Sequence, residues 1–290
     1  MHKFVFHNDR ILSLREVRLS PGQAGLFNGW GLFTTMRIYA GQPFEFARHW
    51  RRLSRDAVRI QLPLEFDPDQ VFARLCELVR ANQVQEGCAR IYFIYNKVGF
   101  WCSAEEDLPV VDWLMYTTDL LTHAAAAHLA LLAHGRHAAS PLIGTKVTAW
   151  LNNVWHLEQA HRRGFDEVIL LNERGEVTEC TSANLFCVRA GQVFTPPPAA
   201  GVLSGVTREV LLETGAEAGV PIEERTLLPE DVYAAEEVFV TSTTREVHPV
   251  ARVEEHRVPQ VPGPVTLRLQ QAFREYVRQF LAQGARQPAS

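Results

Sequence analysis

Gly144-Thr145-Lys146 and, further on, Thr178-Glu179-Cys180-Thr181-Ser182-Ala183-Asn184-Leu185-Phe186 are the stretches that decide how this chain folds and what it holds. Lysine is scarce: of 29 basic residues only Lys3, Lys97 and Lys146 are lysines. A guanidinium stays protonated in proteins, whereas a desolvated lysine can shed its proton and attack a carbonyl carbon. A chain that writes nearly every cation as arginine yet keeps a lysine here has a use for a primary amine, unless codon drift left it there.

Working outward, 290 residues with 47% apolar and 21% charged side chains describe an ordinary globular protein of one large or two smaller domains. The net charge of −4 and the absence of a basic surface exclude a nucleic-acid partner. The densest basic run, Arg48 to Arg59, is interleaved with His49, Trp50, Leu53 and Val58 as on an amphipathic helix. No apolar run reaches membrane-spanning length, and the N-terminus lacks a signal-peptide core. Five cysteines without C-x-x-C spacing fit reduced thiols in a cytoplasmic protein. The eleven histidines lack ligand spacing, so no metal is expected.

Strand and helix patterns alternate without repeats, an α/β (mixed α+β) chain. Residues 3–7 and 10–12 read as a hairpin about Asn8-Asp9, 33–39 and 43–46 as strands, and 47–61 as a helix. A second helix follows Asp67-Pro68, then strands at 89–96 and 110–117. The alanine-rich 123–127 reads as a linker between a small N-terminal domain, 1–122, and a larger C-terminal one, 128–290. In the second half a strand near 128–133 precedes a helix beginning just after Lys146 and closed by Gly164. Strands at 168–171, 176–179, 184–188, 192–194, 221–226 and 238–241 surround a helix opened by Ser204-Gly205-Val206-Thr207. A last helix covers 264–282.

Three kinds of chemistry-bearing element stand out. Lys146 lies at a helix entrance, Glu179 at a strand end, and several features suit an anion. These are the helix start at Ser204-Gly205-Val206-Thr207, the hydroxyl run Ser242-Thr243-Thr244, and Arg52. Singly each is ordinary: Ser204 reads as an N-cap, Arg52 as a solvated helix residue, Glu179 as a strand-end carboxylate. Together they meet the needs of pyridoxal 5′-phosphate: an amine for its aldehyde, a carboxylate for its ring nitrogen and a cradle for its phosphate.

The block from Lys146 to Phe186 resembles the class IV (fold type IV) pyridoxal-phosphate enzymes. That family includes branched-chain aminotransferases, D-amino-acid aminotransferases and 4-amino-4-deoxychorismate lyases. Gly205-Val206-Thr207-Arg208 is similar to its phosphate turn, and Phe239 through Val250 to its late strand-loop motif. Gly31-Leu32-Phe33-Thr34-Thr35-Met36-Arg37 and His49-Trp50-Arg51-Arg52-Leu53 resemble its two N-terminal motifs.

The resemblance implies a two-domain fold with the cofactor between the domains, in a homodimer whose pocket borrows partner residues. It implies that Lys146 is the Schiff-base lysine and proton shuttle, and that Glu179 pairs with the pyridinium nitrogen. Arg52, Val206 (through its amide), Thr207 and Thr243 would hold the phosphate. Thr244 would offer its amide to the substrate carboxylate, and Phe33 would line the pocket. Trp150 stands where branched-chain enzymes often carry a tyrosine. The strand Arg90 to Lys97 lacks both the Y-x-R-P and the R-x-H carboxylate patterns, leaving Arg90 or Lys97 as replacements. In Asn28-Gly29-Trp30-Gly31 a tryptophan takes the place of the family's usual aspartate, and Phe100 and Trp101 would cap a side-chain pocket or pack on a partner. The expected activity is amino transfer between an amino acid, foremost a branched-chain L-amino acid, and a 2-oxo acid such as 2-oxoglutarate. The lyase reaction, D-amino-acid transfer, and a non-catalytic phosphometabolite-binding protein are the alternatives.

Overall fold

The computed structural model describes residues 1–20, 22–97 and 109–284, so Phe100, Trp101 and Cys102 lie outside the described residues. The chain divides into two compact units. The first takes the described residues of Met1–Leu121, Thr145–Trp150 and Phe280–Ser290, and the second takes Thr122–Gly144 and Leu151–Gln279. Sequence reading puts 128–290 in one piece; the segment carrying Lys146, and the described residues from Phe280 to Gly284, belong to the first unit.

In the first unit β1 (Phe4–His7), β2 (Arg10–Ser13), β3 (Gly31–Tyr39), β4 (Gln42–Pro43), β5 (Gly87–Tyr95) and β6 (Val111–Thr118) form an antiparallel sheet. Its order is β2-β1-β6-β5-β3-β4. Asn8 and Asp9 both hold positive φ, the backbone that a tight hairpin turn demands. Leu32, Met36, Ile38, Ile91, Phe93 and Met115 bury one sheet face with Phe46 and Leu53 of α2 (Phe46–Arg59) and Val71, Leu75 and Leu78 of α3 (Pro68–Ala81). Each such side chain contributes about 1.5–3 kcal/mol by leaving water. A polar group in that layer must therefore find a partner inside it. A short helix, α1 (Ala24–Asn28), went unread because five residues carry too little periodicity. Gly29 closes it in the left-handed region, φ 65°, and Trp30 next to it donates Nε1–H to the Ile60 carbonyl at 2.9 Å.

The second unit holds a mixed sheet of β7 (Ala127–Leu132), β8 (Glu167–Leu171), β9 (Val177–Cys180), β10 (Asn184–Arg189), β11 (Gln192–Thr195), β12 (Ile222–Glu224), β13 (Glu237–Ser242), β14 (Glu246–Val253) and β15 (His256–Arg257). The order is β12-β11-β10-β13-β14-β7-β8-β9, with β15 on β14. Leu129, Ile169, Leu185, Val240 and Val250 lie in its core. The unit's helices are α4 (Leu151–Arg162), α5 (Val206–Glu217) and α6 (Pro229–Tyr233), and α7 (Pro264–Gln283) runs on past Gln279 into the residues of the first unit. Among the described residues no helix is long and apolar enough to cross a membrane.

Two sequence expectations change here. The helix after Lys146 starts only at Leu151, because the backbone at 146–148 is already paired. Phe33 N–H donates to the Lys146 carbonyl at 3.0 Å and Thr148 N–H to the Gly31 carbonyl at 2.9 Å, with Leu32 bridging Val147. A segment committed to a strand edge cannot enter a helix. Ser204 is not the cap of α5: the N-cap is Gly205, with no side chain closing that end.

Candidate active site

The candidate residues fall into two sets, one in each unit. In the first unit the Lys146 segment is held by the two pairings with β3 just given and by the Lys146 N–H, which donates to Asp56 Oδ2 at 3.1 Å. Its Nζ stands 4.5 Å from the centroid of the Phe33 ring and 5.4 Å from that of Trp150. Those two rings meet edge to face at 5.8 Å. An ammonium over aromatic faces is stabilised by the ring quadrupole.

Phe33 pairs with Tyr92 across the sheet, and Arg90 with Tyr116, so the pleat puts all four on one face. Phe33 stacks on Tyr92 at 5.4 Å and Tyr92 on Tyr116 at 5.7 Å. The two phenol oxygens are 3.1 Å apart, and Arg90 Nη1 reaches the Tyr116 hydroxyl at 3.4 Å. Burial, with the Tyr116 hydroxyl next, pushes the Tyr92 phenol up to about 12. Arg90 and the Tyr92 and Tyr116 hydroxyls thus meet on this face, an arrangement that sequence reading found only in the position of Arg90.

Arg52 is buried, not solvated as expected on a basic helix. Its Nη2 donates to Thr34 Oγ1 at 2.9 Å, and that hydroxyl lies 2.6 Å from His49 Nδ1. Burial first, then the charges of Arg52 and Lys146, hold His49 well below the usual imidazole range. The neutral imidazole shares one proton with the Thr34 hydroxyl across this contact, while the Thr34 oxygen accepts from Arg52. His49 and Thr34 were visible in the sequence only inside motifs.

In the second unit Glu179 lies one residue before the end of β9 and uses both carboxylate oxygens. Oε1 accepts from Arg136 Nη2 at 3.3 Å. Oε2 accepts the Leu203 amide at 2.9 Å and Asn184 Nδ2 at 3.3 Å. Arg136 also donates to Asn153 Oδ1 at 2.7 Å. Neither Arg136 nor Asn153 stood out in sequence, since a loop arginine and a helix asparagine carry no spacing signal. Gly205 has a steric reason to lack a side chain: a Cβ there would lie 2.2 Å from Asn184 Oδ1. Val206 and Thr207, both buried, form the first turn of α5, whose N-cap Gly205 brings no side chain of its own to the leading amides. Thr243 and Thr244 occupy the turn after β13, where Ser242 Oγ accepts the Arg245 amide at 3.2 Å.

These donor sets fit pyridoxal 5′-phosphate. The first unit offers a primary amine among aromatic rings and a buried guanidinium. The second offers a doubly anchored carboxylate and a helix start whose Gly205 leaves no room for a Cβ.

The family model described as amino-transferase class IV matches residues 31–253. The branched-chain-amino-acid aminotransferase of Salmonella typhimurium is 27% identical, with 93% of this chain and 91% of that relative covered. The D-alanine aminotransferase of Staphylococcus haemolyticus is 28% identical over 94% of this chain and 97% of its own. Among solved structures, the branched-chain aminotransferase of Thermoproteus uzoniensis with norvaline superposes with a TM-score of 0.88 at 26% identity, covering 98% of this chain and 97% of that one. The mixed α/β architecture matches these fold type IV structures, and the chain belongs to the class IV aminotransferases, pyridoxal-phosphate-dependent transaminases.

Proposed function

We propose that this protein transfers the amino group of a branched-chain L-amino acid to a 2-oxo acid such as 2-oxoglutarate, as a cytoplasmic homodimer. The observation that carries the reading is the Lys146 amine, fixed through its backbone to β3 with Nζ 4.5 Å from the Phe33 ring. When bound, pyridoxal phosphate supplies an aldehyde for the amino group and a ring that takes up the electrons of a broken Cα–H bond. Lys146 Nζ moves that proton off and back, within reach because the segment 146–148 cannot shift along β3. Phe33, Tyr92 and Trp150 offer an apolar aromatic wall to a branched side chain.

Glu179 accepts from the ring nitrogen and keeps its proton in place. Arg52, the Val206 amide, Thr207 and Thr243 bind the phosphate; the Thr244 amide binds the substrate carboxylate. Arg90 with the Tyr92 and Tyr116 hydroxyls suits a second carboxylate, such as that of 2-oxoglutarate. A dimer is supported by α4, where Leu151, Val154 and Trp155 are 77%, 44% and 57% exposed at helical spacing.

The test is to load the protein with pyridoxal phosphate and offer single amino acids. Release of the matching 2-oxo acid from leucine, isoleucine and valine, with 2-oxoglutarate consumed, is the expected result. Turnover of D-alanine alone, as by the Staphylococcus relative, moves the protein to the D-specific branch. Conversion of 4-amino-4-deoxychorismate to 4-aminobenzoate without an acceptor defeats the transaminase reading.

A further inference from the structure

Glu167 opens β8 with none of its surface exposed. A carboxylate that deep is costly unless every lone pair is used. Here they are. Oε1 accepts the amides of Val168 at 3.1 Å and Thr181 at 3.2 Å, and also the Thr181 hydroxyl. Oε2 accepts the Ser182 hydroxyl and Arg245 Nη1, the latter at 3.1 Å. Arg245 Nη1 also reaches Ser182 Oγ at 3.2 Å.

Glu167 thereby ties two turns of the second unit together. One, 180–183, directly follows Glu179 and is closed by Cys180 N–H on the Ala183 carbonyl. The other, 242–245, contains Thr243 and Thr244 and is closed by the Arg245 amide on Ser242. The network continues from Thr181, whose carbonyl accepts Asn153 Nδ2 at 3.3 Å, through Asn153 to Arg136 and so to Glu179. A chain of hydrogen bonds thus runs from Glu179 to the turn holding Thr243 and Thr244.

We propose that Glu167 and Arg245 are a positioning pair for the reaction, setting the turn at 242–245 against the strand end at Glu179. The proposal rests on the reading that Glu179 and Thr243–Thr244 face opposite ends of the same cofactor. A merely structural brace would cost stability and leave binding alone. A positioning pair changes how well the anion at Thr243 and the carboxylate at Thr244 are held.

The variants are Glu167→Gln, Arg245→Met, Arg245→Lys, the double Glu167→Gln/Arg245→Met, and Glu237→Gln as control. Glu237 is equally buried, but its bonds to the Val265 and Thr266 amides and the Thr266 hydroxyl serve the start of α7. The readouts are the Kd of pyridoxal phosphate for the cofactor-free protein, KM and kcat for the amino donor, and Tm. Glu167→Gln turns an amide toward Arg245, so Kd and KM rise about tenfold while kcat falls less. Arg245→Met does the same, Arg245→Lys falls between it and the parent, and the double variant is no worse than either single. Glu237→Gln lowers Tm but leaves Kd within about twofold. An unchanged Kd in Glu167→Gln, an equal rise in Glu237→Gln, or additive losses in the double variant overturns the proposal. Should Glu167→Gln not fold, the two Arg245 variants carry the same comparison. Failure of the parent protein itself to bind pyridoxal phosphate would defeat the functional reading instead.

Discussion

Arg136 Nη2 stands 3.3 Å from Glu179 Oε1, in a pair whose side chains are both mostly removed from water. Charge pairs of this kind are worth more where solvent is excluded, and they fix the carboxylate's orientation as well as its charge. Glu179 is also tied by Leu203 and Asn184, so losing Arg136 removes charge support without releasing the side chain. Arg136→Met is expected to lower kcat by roughly 10- to 100-fold, with Arg136→Lys losing less. Equal losses in the two variants, measured under saturating cofactor, sink the electrostatic account.

Lys146→Arg keeps a cation over Phe33 and Trp150 but removes the nucleophile. The protein should still take up pyridoxal phosphate without the covalent link, yet lose its borohydride-fixable visible band. Intact mass after borohydride treatment reads this directly. A persistent covalent increment on the variant means another lysine carries the link.

Much of this was legible in the sequence because it rests on short-range signals. The Lys146 segment, the stretch from β9 into β10 with Glu179 and Asn184, and the α5 turn are all local patterns, and the family match spans them. The helix start at Leu151 was misread because local propensity cannot foresee that 146–148 pairs with β3, far back in the chain. Taken alone, Arg52 reads as solvated because Thr34, which accepts its hydrogen bond, lies on another element. Glu167 and Asn153 lay inside the Lys146–Phe186 block without a role, and Arg136 left no trace, for the same reason: their partners come from distant parts of the chain and are set only by the fold.

Thr34 Oγ1 bridges Arg52 and His49 within the apolar layer of the first unit. Thr34→Val preserves the shape while stripping both neighbours of that partner. A buried polar group left unpaired costs about 1–3 kcal/mol, so Tm should drop measurably. Because Arg52 also loses its bond to the Thr34 hydroxyl, affinity for inorganic phosphate should weaken in parallel, whereas Thr34→Ser should behave nearly as the parent. A valine variant with parental Tm and phosphate affinity shows that the bridge has no such role.

Acid stability should fall in two stages. Burial first, then the charges of Arg245 and His123, brings His248 down to about 4 from an ordinary 6.5. His49 is lowered too, by burial and then by Arg52 and Lys146. Below pH 6.5 the unfolded chain binds protons that the folded one refuses, so this part of the stability is complete above 6.5 and is lost as pH falls toward 4. Asp112 acts lower on the scale. Burial raises it, but hydrogen bonds from His7, Gln23, Asn96 and Asn8 win and bring it to about 2 from 3.8. Its share is present above pH 3.8 and disappears as pH drops through 2. Melting curves across pH 2–8 should therefore decline first over the histidine window and again over the carboxylate window. His248→Asn should flatten the upper decline and leave the lower one in place. If the variant and the parent trace the same curve between pH 4 and 6.5, His248 is not a source of that loss.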